Sequence, residues 1–164
     1  MYHGRSIIAV IPAYNEQAKI GRVVERIGSG LVDRVLVVDD GSTDSTANVA
    51  LRSGATVLSM GRVCGVGAAL RSGLELGRRG GFDTAVILAG NDKDNPEELP
   101  RLLDPICRGE SDFVIGSRYL RGGVAGGAMP AYRRLATRLH PWLMSRFAGK
   151  KLTESTNGFR AIKL

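Results

Sequence analysis

Runs of consecutive apolar, largely β-branched residues at 7–11, 35–38, 55–58, 84–88 and 113–115 constrain this chain more than any other feature. They are continuous instead of alternating, so each reads as a strand covered on both faces, the mark of a parallel sheet beneath helices. Stretches with helical spacing lie between them. Within 17–27, Ile20, Val23, Val24 and Ile27 fall at i, i+3, i+4 and i+7 and predict a helix lying on the sheet. Residues 44–52, 67–78 and 96–107 read the same way, with Pro96 suited to a first helical turn and Glu97 and Glu98 to the positive helix end. Pro100 and Pro105 weaken that last helix toward its end. Strands and helices alternating through short connections give an α/β fold with right-handed crossovers. Ligands of such open sheets bind beyond the carboxyl ends of the strands, here residues 12–16, 39–44, 59–65, 89–95 and 116–123.

A length of 164 residues predicts one domain, 1–164, able to bury a core without disulfide or structural metal. Cys64 and Cys107 lack CxxC spacing and a histidine cluster, so neither a disulfide framework nor a zinc site is implied. A soluble protein of the reducing cytoplasm is expected, because no stretch approaches the ~20 apolar residues that span a bilayer and the N-terminal apolar run is too short for a signal peptide. Charge is unevenly spread. Residues 1–117 hold 13 Lys and Arg against 15 Asp and Glu, whereas 118–164 hold 10 against the single Glu154. A basic block of that kind meets phosphates, nucleic acid or an acidic membrane surface.

Two loops carry the clearest chemistry. Pro12-Ala13-Tyr14-Asn15-Glu16 follows the first strand, where Asn15 is suited to cap the next helix, Glu16 to its positive end and the Tyr14 ring to stacking on a base. After the second strand, Asp39 and Asp40 set two adjacent carboxylates, which can accept hydrogen bonds from a base N–H or ribose hydroxyls. Gly41 permits a tight turn there, and Ser42, Thr43 or Asp44 caps the following helix. The Gly65-Val66-Gly67 segment imitates a dinucleotide fingerprint poorly, since Leu70 replaces the last small residue and the strand before it is the third. A helix start packed closely on the sheet accounts for it.

Together these loops resemble the family 2 glycosyltransferases with a GT-A fold, and among them the dolichyl- and polyprenyl-phosphate sugar synthases. The likeness runs from Ile7 to about Lys163 and includes Gly65-Val66-Gly67-Ala68-Ala69, Asp112-Phe113-Val114-Ile115-Gly116-Ser117-Arg118 and Asn157-Gly158-Phe159-Arg160. It implies an inverting transferase that takes a UDP- or GDP-sugar and glycosylates a polyprenyl phosphate. It also implies that Pro12, Tyr14, Glu16 and Asp40 hold base and ribose, that Val38 gives a backbone contact, and that Arg118 faces phosphate or sugar. Relatives continue beyond the point matching Leu164, so a C-terminal truncation is expected.

The family's metal signature sits at the end of the fourth strand, and there the sequence departs, with Ala89 and Asn91 at the two aspartate positions. A diphosphate leaving group still needs its negative charge neutralised, the task of Mg²⁺ or Mn²⁺. Asp92 and Asp94 are the expected replacement ligands, with the Asn91 amide oxygen as a neutral donor; Lys93 could bind phosphate instead. A phosphate acceptor needs no general base. For a hydroxyl acceptor the expected base is Asp94, then Asp92, and His3 and His140 suit structural or surface roles. A catalytically weak nucleotide-sugar binding module is the alternative, and a nucleotidyltransferase lacks its phosphate-loop signature.

Residues 1–117 are thus expected to bind the nucleotide and 118–164 to form an acceptor and membrane-proximal part. Within the latter, Arg118, Arg121, Arg133, Arg134, Arg138, Arg146, Lys150 and Lys151 flank Trp142 and Phe147, as in an interfacial helix docking peripherally on the cytoplasmic membrane face. Nucleic acid is not the expected partner, because the interleaved aromatics of a base-stacking platform are missing.

Overall fold

The computed structural model describes residues 1–27, 30–117, 119–120, 131–149 and 152–164, the side chains of 131–138 and 148 excepted. Two compact units emerge, Met1–Val114 with Phe159–Leu164, and Ile115–Gly158. The first unit thus takes up both the start of the chain and its last six residues.

Strands β1 (Ile7–Ala13), β2 (Arg34–Asp39), β3 (Thr56–Ser59), β4 (Thr84–Ile87), β5 (Phe113–Ile115) and β6 (Arg160–Lys163) form one sheet in the order β3-β2-β1-β4-β6-β5. The β1/β2, β1/β4 and β2/β3 pairs are parallel, and β4/β6 is antiparallel. All five predicted strands are present. The sixth was not anticipated: its four residues, Arg-Ala-Ile-Lys, hold only two apolar positions between two cationic ones, too short a run to read as a strand.

Alternation along β1 divides the core. Ile7, Ala9, Ile11 and Ala13 face a cluster completed by Ile20, Val23, Val24 and Ile27, by Ala50, and by Leu99, Leu102, Leu103 and Ile106. These belong to α1 (Ile20–Arg26) and its C-cap, α2 (Thr46–Arg52) and α4 (Leu99–Cys107). On the opposite face Ile8, Val10, Leu36 and Val38 meet α3 (Val66–Arg79). That helix lies against the strands through small residues. A Cβ on Gly73 would stand 2.5 Å from Val10 Cγ1, and one on Gly77 would stand 3.1 Å from Ile8 Cγ2. Pro100 sits in the first turn of α4 and Pro105 inside it, after a 3-10 turn at Pro96–Glu98 whose cap is the Asn95 side chain.

The second unit contains α5 (Ala131–Ala148), and Leu139, Trp142, Leu143, Met144 and Phe147 on it are exposed. After α5 the buried Glu154 accepts hydrogen bonds from the backbone of Ser155 and Thr156 and from the Thr156 hydroxyl. Its carboxylate thereby organises the turn leading to Asn157, whose amide donates to the Gly116 carbonyl at 2.8 Å.

Candidate functional site

The carboxyl ends of β1 and β2 finish level with each other. Pro12 pairs with Val38 and Ala13 with Asp39, and the Asp40 N–H donates to the Ala13 carbonyl at 2.9 Å. Tyr14 and Asp40 therefore leave neighbouring strands side by side.

The two loops are then stitched together. Asn15 adopts a left-handed backbone (φ 53°), donates its N–H to Ser42 Oγ at 3.0 Å and accepts the Thr43 N–H at 2.9 Å. One step on, the Glu16 N–H donates to Thr46 Oγ1 and the Gln17 side chain accepts the Ser45 N–H. Asn15 was expected as a helix cap, but α1 begins after Lys19; Asn15 bonds across to the neighbouring loop instead. Asp44 does both, accepting the Thr46 N–H within its own loop and the Gln17 N–H from across the first. Burial opposes its charge, yet the bonds from Thr46 and Gln17 outweigh that and hold its pKa below the ordinary value.

Asp40 is buried, and its two carboxylate oxygens accept the Cys64 N–H at 2.7 Å and the Gly65 N–H at 2.9 Å. The loop after β3 is thereby drawn over the end of β2. It crosses Gly41 so closely that a Cβ there would lie 2.4 Å from the Arg62 carbonyl carbon, and Gly41 also has φ +72°. A carboxylate has about four lone-pair sites, and these two bonds use two of those on Asp40. Tyr14 is 49% exposed, free to offer a ring face, and Glu16 pairs loosely with Lys19 at 3.4 Å. Val38 lies inside the sheet, paired with Pro12 on one side and Leu58 on the other. Its side chain packs under Gly73, so it builds the floor of the rim.

Beyond β4 the predicted acidic residues separate. Asp92, with φ 60°, receives Arg22 Nε and Arg26 Nη1, each at 2.7 Å, from successive turns of α1. Two guanidinium groups thus occupy the carboxylate expected to hold a cation or act as a base. Arg26 also donates to Asn95 Oδ1 at 3.1 Å. Asp94 instead turns back on the strand end, its Oδ2 accepting the Ala89 N–H at 2.8 Å. Asn91 Oδ1 is buried with no hydrogen-bond partner among the described residues, an acceptor left unsatisfied. An unsatisfied neutral oxygen in the same loop as the Asp94 carboxylate suits a hard, oxygen-seeking divalent cation whose remaining positions are filled by phosphate oxygens and water; among the described residues no three His, Cys, Asp or Glu side chains gather to hold one unaided. Lys93 is exposed, and Arg118 lies outside the described residues. Sequence reading missed Arg22 and Arg26 as members of this loop's surroundings; their i, i+4 spacing on the polar face of α1 was the available signal.

A mostly parallel sheet with an antiparallel return strand, helices on both faces and polar loops gathered at the carboxyl ends of β1 and β2 matches the GT-A nucleotide-sugar transferase fold. The crystal structure of glucosyl-3-phosphoglycerate synthase from Mycobacterium tuberculosis with Mn²⁺, UDP and glucosyl-3-phosphoglycerate has a TM-score of 0.71 to it at 28% identity, covering 98% of this chain and 57% of that one. Mannosyl-3-phosphoglycerate synthase from Rubrobacter xylanophilus gives 0.76 at 25% identity, covering 98% and 53%. The chain belongs to the glycosyl transferase family 2, which it matches over residues 8–162. It is 35% identical to the polyprenol monophosphomannose synthase of Mycolicibacterium smegmatis, covering 95% of this chain and 61% of that protein. To the undecaprenyl-phosphate mannosyltransferase of Micrococcus luteus it is 33% identical, covering 96% and 66%. This chain thus spans about three-fifths to two-thirds of the length of those two relatives.

Proposed function

We propose that this chain binds a UDP- or GDP-sugar at the carboxyl rim of the sheet and transfers the sugar, with inversion, to a polyprenyl phosphate. The observation that carries the reading is the level ending of β1 and β2, from which the exposed Tyr14 and the buried Asp40 emerge on adjacent strands. A base stacked on Tyr14 offers its N–H groups to Asp40, and Pro12 and Glu16 border the ribose. Family membership and the polyprenyl-phosphate relatives support the choice of donor and acceptor.

In the reaction an acceptor phosphate oxygen attacks the anomeric carbon, the bond from that carbon to the diphosphate breaks, and the nucleoside diphosphate leaves. The acceptor oxygen is already ionised near neutral pH, so no protein base is required. Asn91 and Asp94 would hold Mg²⁺ or Mn²⁺, which supplies charge neutralisation for the departing diphosphate. Asp92, engaged by two arginines, fixes the loop and is not assigned as a ligand. Lys93 and Arg118 add positive charge for phosphate. The exposed Trp142, Leu143 and Phe147 of α5, with Arg146 among them, suit a peripheral anionic bilayer surface, where each cationic side chain contributes about 1 kcal/mol. Among the described residues no helix is long and apolar enough to cross a membrane.

A second reading, a nucleotide-sugar binding module without turnover, is favoured by Ala89 and Asn91 standing where carboxylates are usual. Incubation with radiolabelled UDP- and GDP-sugars, Mg²⁺ or Mn²⁺ and polyprenyl phosphate separates the two. Labelled glycolipid that disappears in Asp40→Ala and Asp94→Asn supports transfer. Donor binding lost in Asp40→Ala, with no glycolipid under either metal, supports the module.

A further inference from the structure

Asp92 was expected to hold metal, yet its carboxylate is 13% exposed and grips α1, with Arg22 Nε on Oδ2 and Arg26 Nη1 on Oδ1, both at 2.7 Å. The same Arg26 guanidinium reaches Asn95 Oδ1 at 3.1 Å, and Asn95 also caps the following 3-10 turn through the Glu97 N–H. Asp92 and Asn95 are thus fastened to one helix at the two ends of a short span. Asp94 lies between them and closes the span onto the strand by accepting the Ala89 N–H at 2.8 Å. The backbone is left-handed at Asp92, at φ 60°, a conformation that a non-glycine residue holds only when its surroundings enforce it. Arg22 and Arg26 are the side chains that grip its carboxylate there.

We infer that Arg22 and Arg26 are positioning residues for the cation, acting through Asp92 and Asn95 to hold Asn91 and Asp94 where they can share a divalent ion with a nucleotide diphosphate. The inference rests on the reading of this loop as the cation-holding one. It assigns to α1 the role that supporting partners play in metal sites, where their loss typically weakens metal affinity about 10- to 100-fold. Arg26 has the larger part because it alone reaches both fastening points. Arg22, 64% exposed against 39% for Arg26, has the smaller.

The test is Mn²⁺ affinity, read by electron paramagnetic resonance of free Mn²⁺ in the presence of UDP and, separately, GDP. The proteins compared are wild type, Arg26→Gln, Asp92→Asn and the double variant, with nucleotide affinity in EDTA measured alongside. Positioning predicts that each single variant loses about tenfold or more in Mn²⁺ affinity, that the double loses no more than the worse single, and that nucleotide affinity in EDTA is unchanged. The Arg26→Lys variant, which keeps charge but not the forked reach, recovers only part of the loss. Unchanged or tighter Mn²⁺ binding in Arg26→Gln overturns the inference. A loss confined to Asp92→Asn overturns it too, by making Asp92 itself a ligand. Wild type that binds neither nucleotide, or binds one with no Mn²⁺ uptake, removes the underlying site reading instead.

Discussion

The Asp40 carboxylate accepts the backbone N–H of Gly65 at 2.9 Å, so a side chain at the end of β2 fixes the residue immediately before α3. With the Cys64 N–H on its other oxygen, Asp40 joins two of the loops that form the rim. Replacing it with Asn turns one acceptor into a donor facing an N–H. Asp40→Asn should lose about 1–3 kcal/mol of stability, the usual cost of a buried hydrogen-bonding group left unmatched. Nucleotide affinity should fall at least tenfold. Urea unfolding and calorimetric titration with UDP and GDP measure the two effects; full stability and full affinity together would contradict the assigned role.

Asn15 tests the stitch between the loops. Its left-handed backbone and its two cross-loop bonds make Asn15→Ala unfavourable twice, by strain and by the lost acceptor for the Thr43 N–H. A loss of roughly 1–2 kcal/mol in urea unfolding is expected. Asn15→Gly relieves the strain alone and should lose less.

How much of this was readable beforehand depended on whether a feature is local. The strands from Ile7, Val35 and Thr84 announce themselves because burial on both faces makes them continuous apolar runs, and the run from Phe113 is legible although it is only partly buried. β6 stayed hidden, since Arg160 and Lys163 flank only two apolar residues on a four-residue strand next to the sheet edge, too short a run to stand out. Tyr14 and Asp40 were legible as a pair because both follow strand ends, and the parallel register brings such ends level. The partners of Asp92 were not. An acidic residue in a loop reads as a ligand until the fold brings Arg22 and Arg26 to it from 66 to 70 residues away. Asn15 misled for a related reason, because its residue type caps a helix or bridges to a neighbouring loop equally well, and only the tertiary fold decides which.

Two glycines of α3 make opposite predictions. A Cβ on Gly73 would come within 2.5 Å of Val10 Cγ1 and 3.1 Å of Val38 Cγ2, so Gly73→Ala should lift the helix from the sheet at a cost of about 1–3 kcal/mol. Gly67, with nothing within 4 Å, should gain up to about 1 kcal/mol as Gly67→Ala through helix propensity. Thermal unfolding of both variants, side by side, shows whether α3 packs through small residues as described.

The depressed pKa of Asp44 sets an acid limit on the rim. A carboxyl whose folded pKa lies below its unfolded one stabilises the native state above the unfolded value. That stabilisation fades as pH falls through the folded value. Below about pH 4 the hydrogen bonds to Thr46 and Gln17 should weaken and the unfolding midpoint should drop. Asp44→Asn should show a flatter profile across that window, and identical profiles for the two proteins would count against this role.

The most direct test of the central claim is nuclear magnetic resonance of the ¹⁵N-labelled protein titrated with UDP and with GDP in Mg²⁺. Saturable shifts at the amides of Tyr14, Asp40, Gly41 and Gly65 with at least one nucleotide are predicted. An open cavity of about 470 Å³ at the amino ends of β2 and β3, lined by Glu25, Asp33, Ser53 and Thr56, offers the contrasting location. Shifts confined to those residues, or none with either nucleotide, would contradict a donor site at the carboxyl rim.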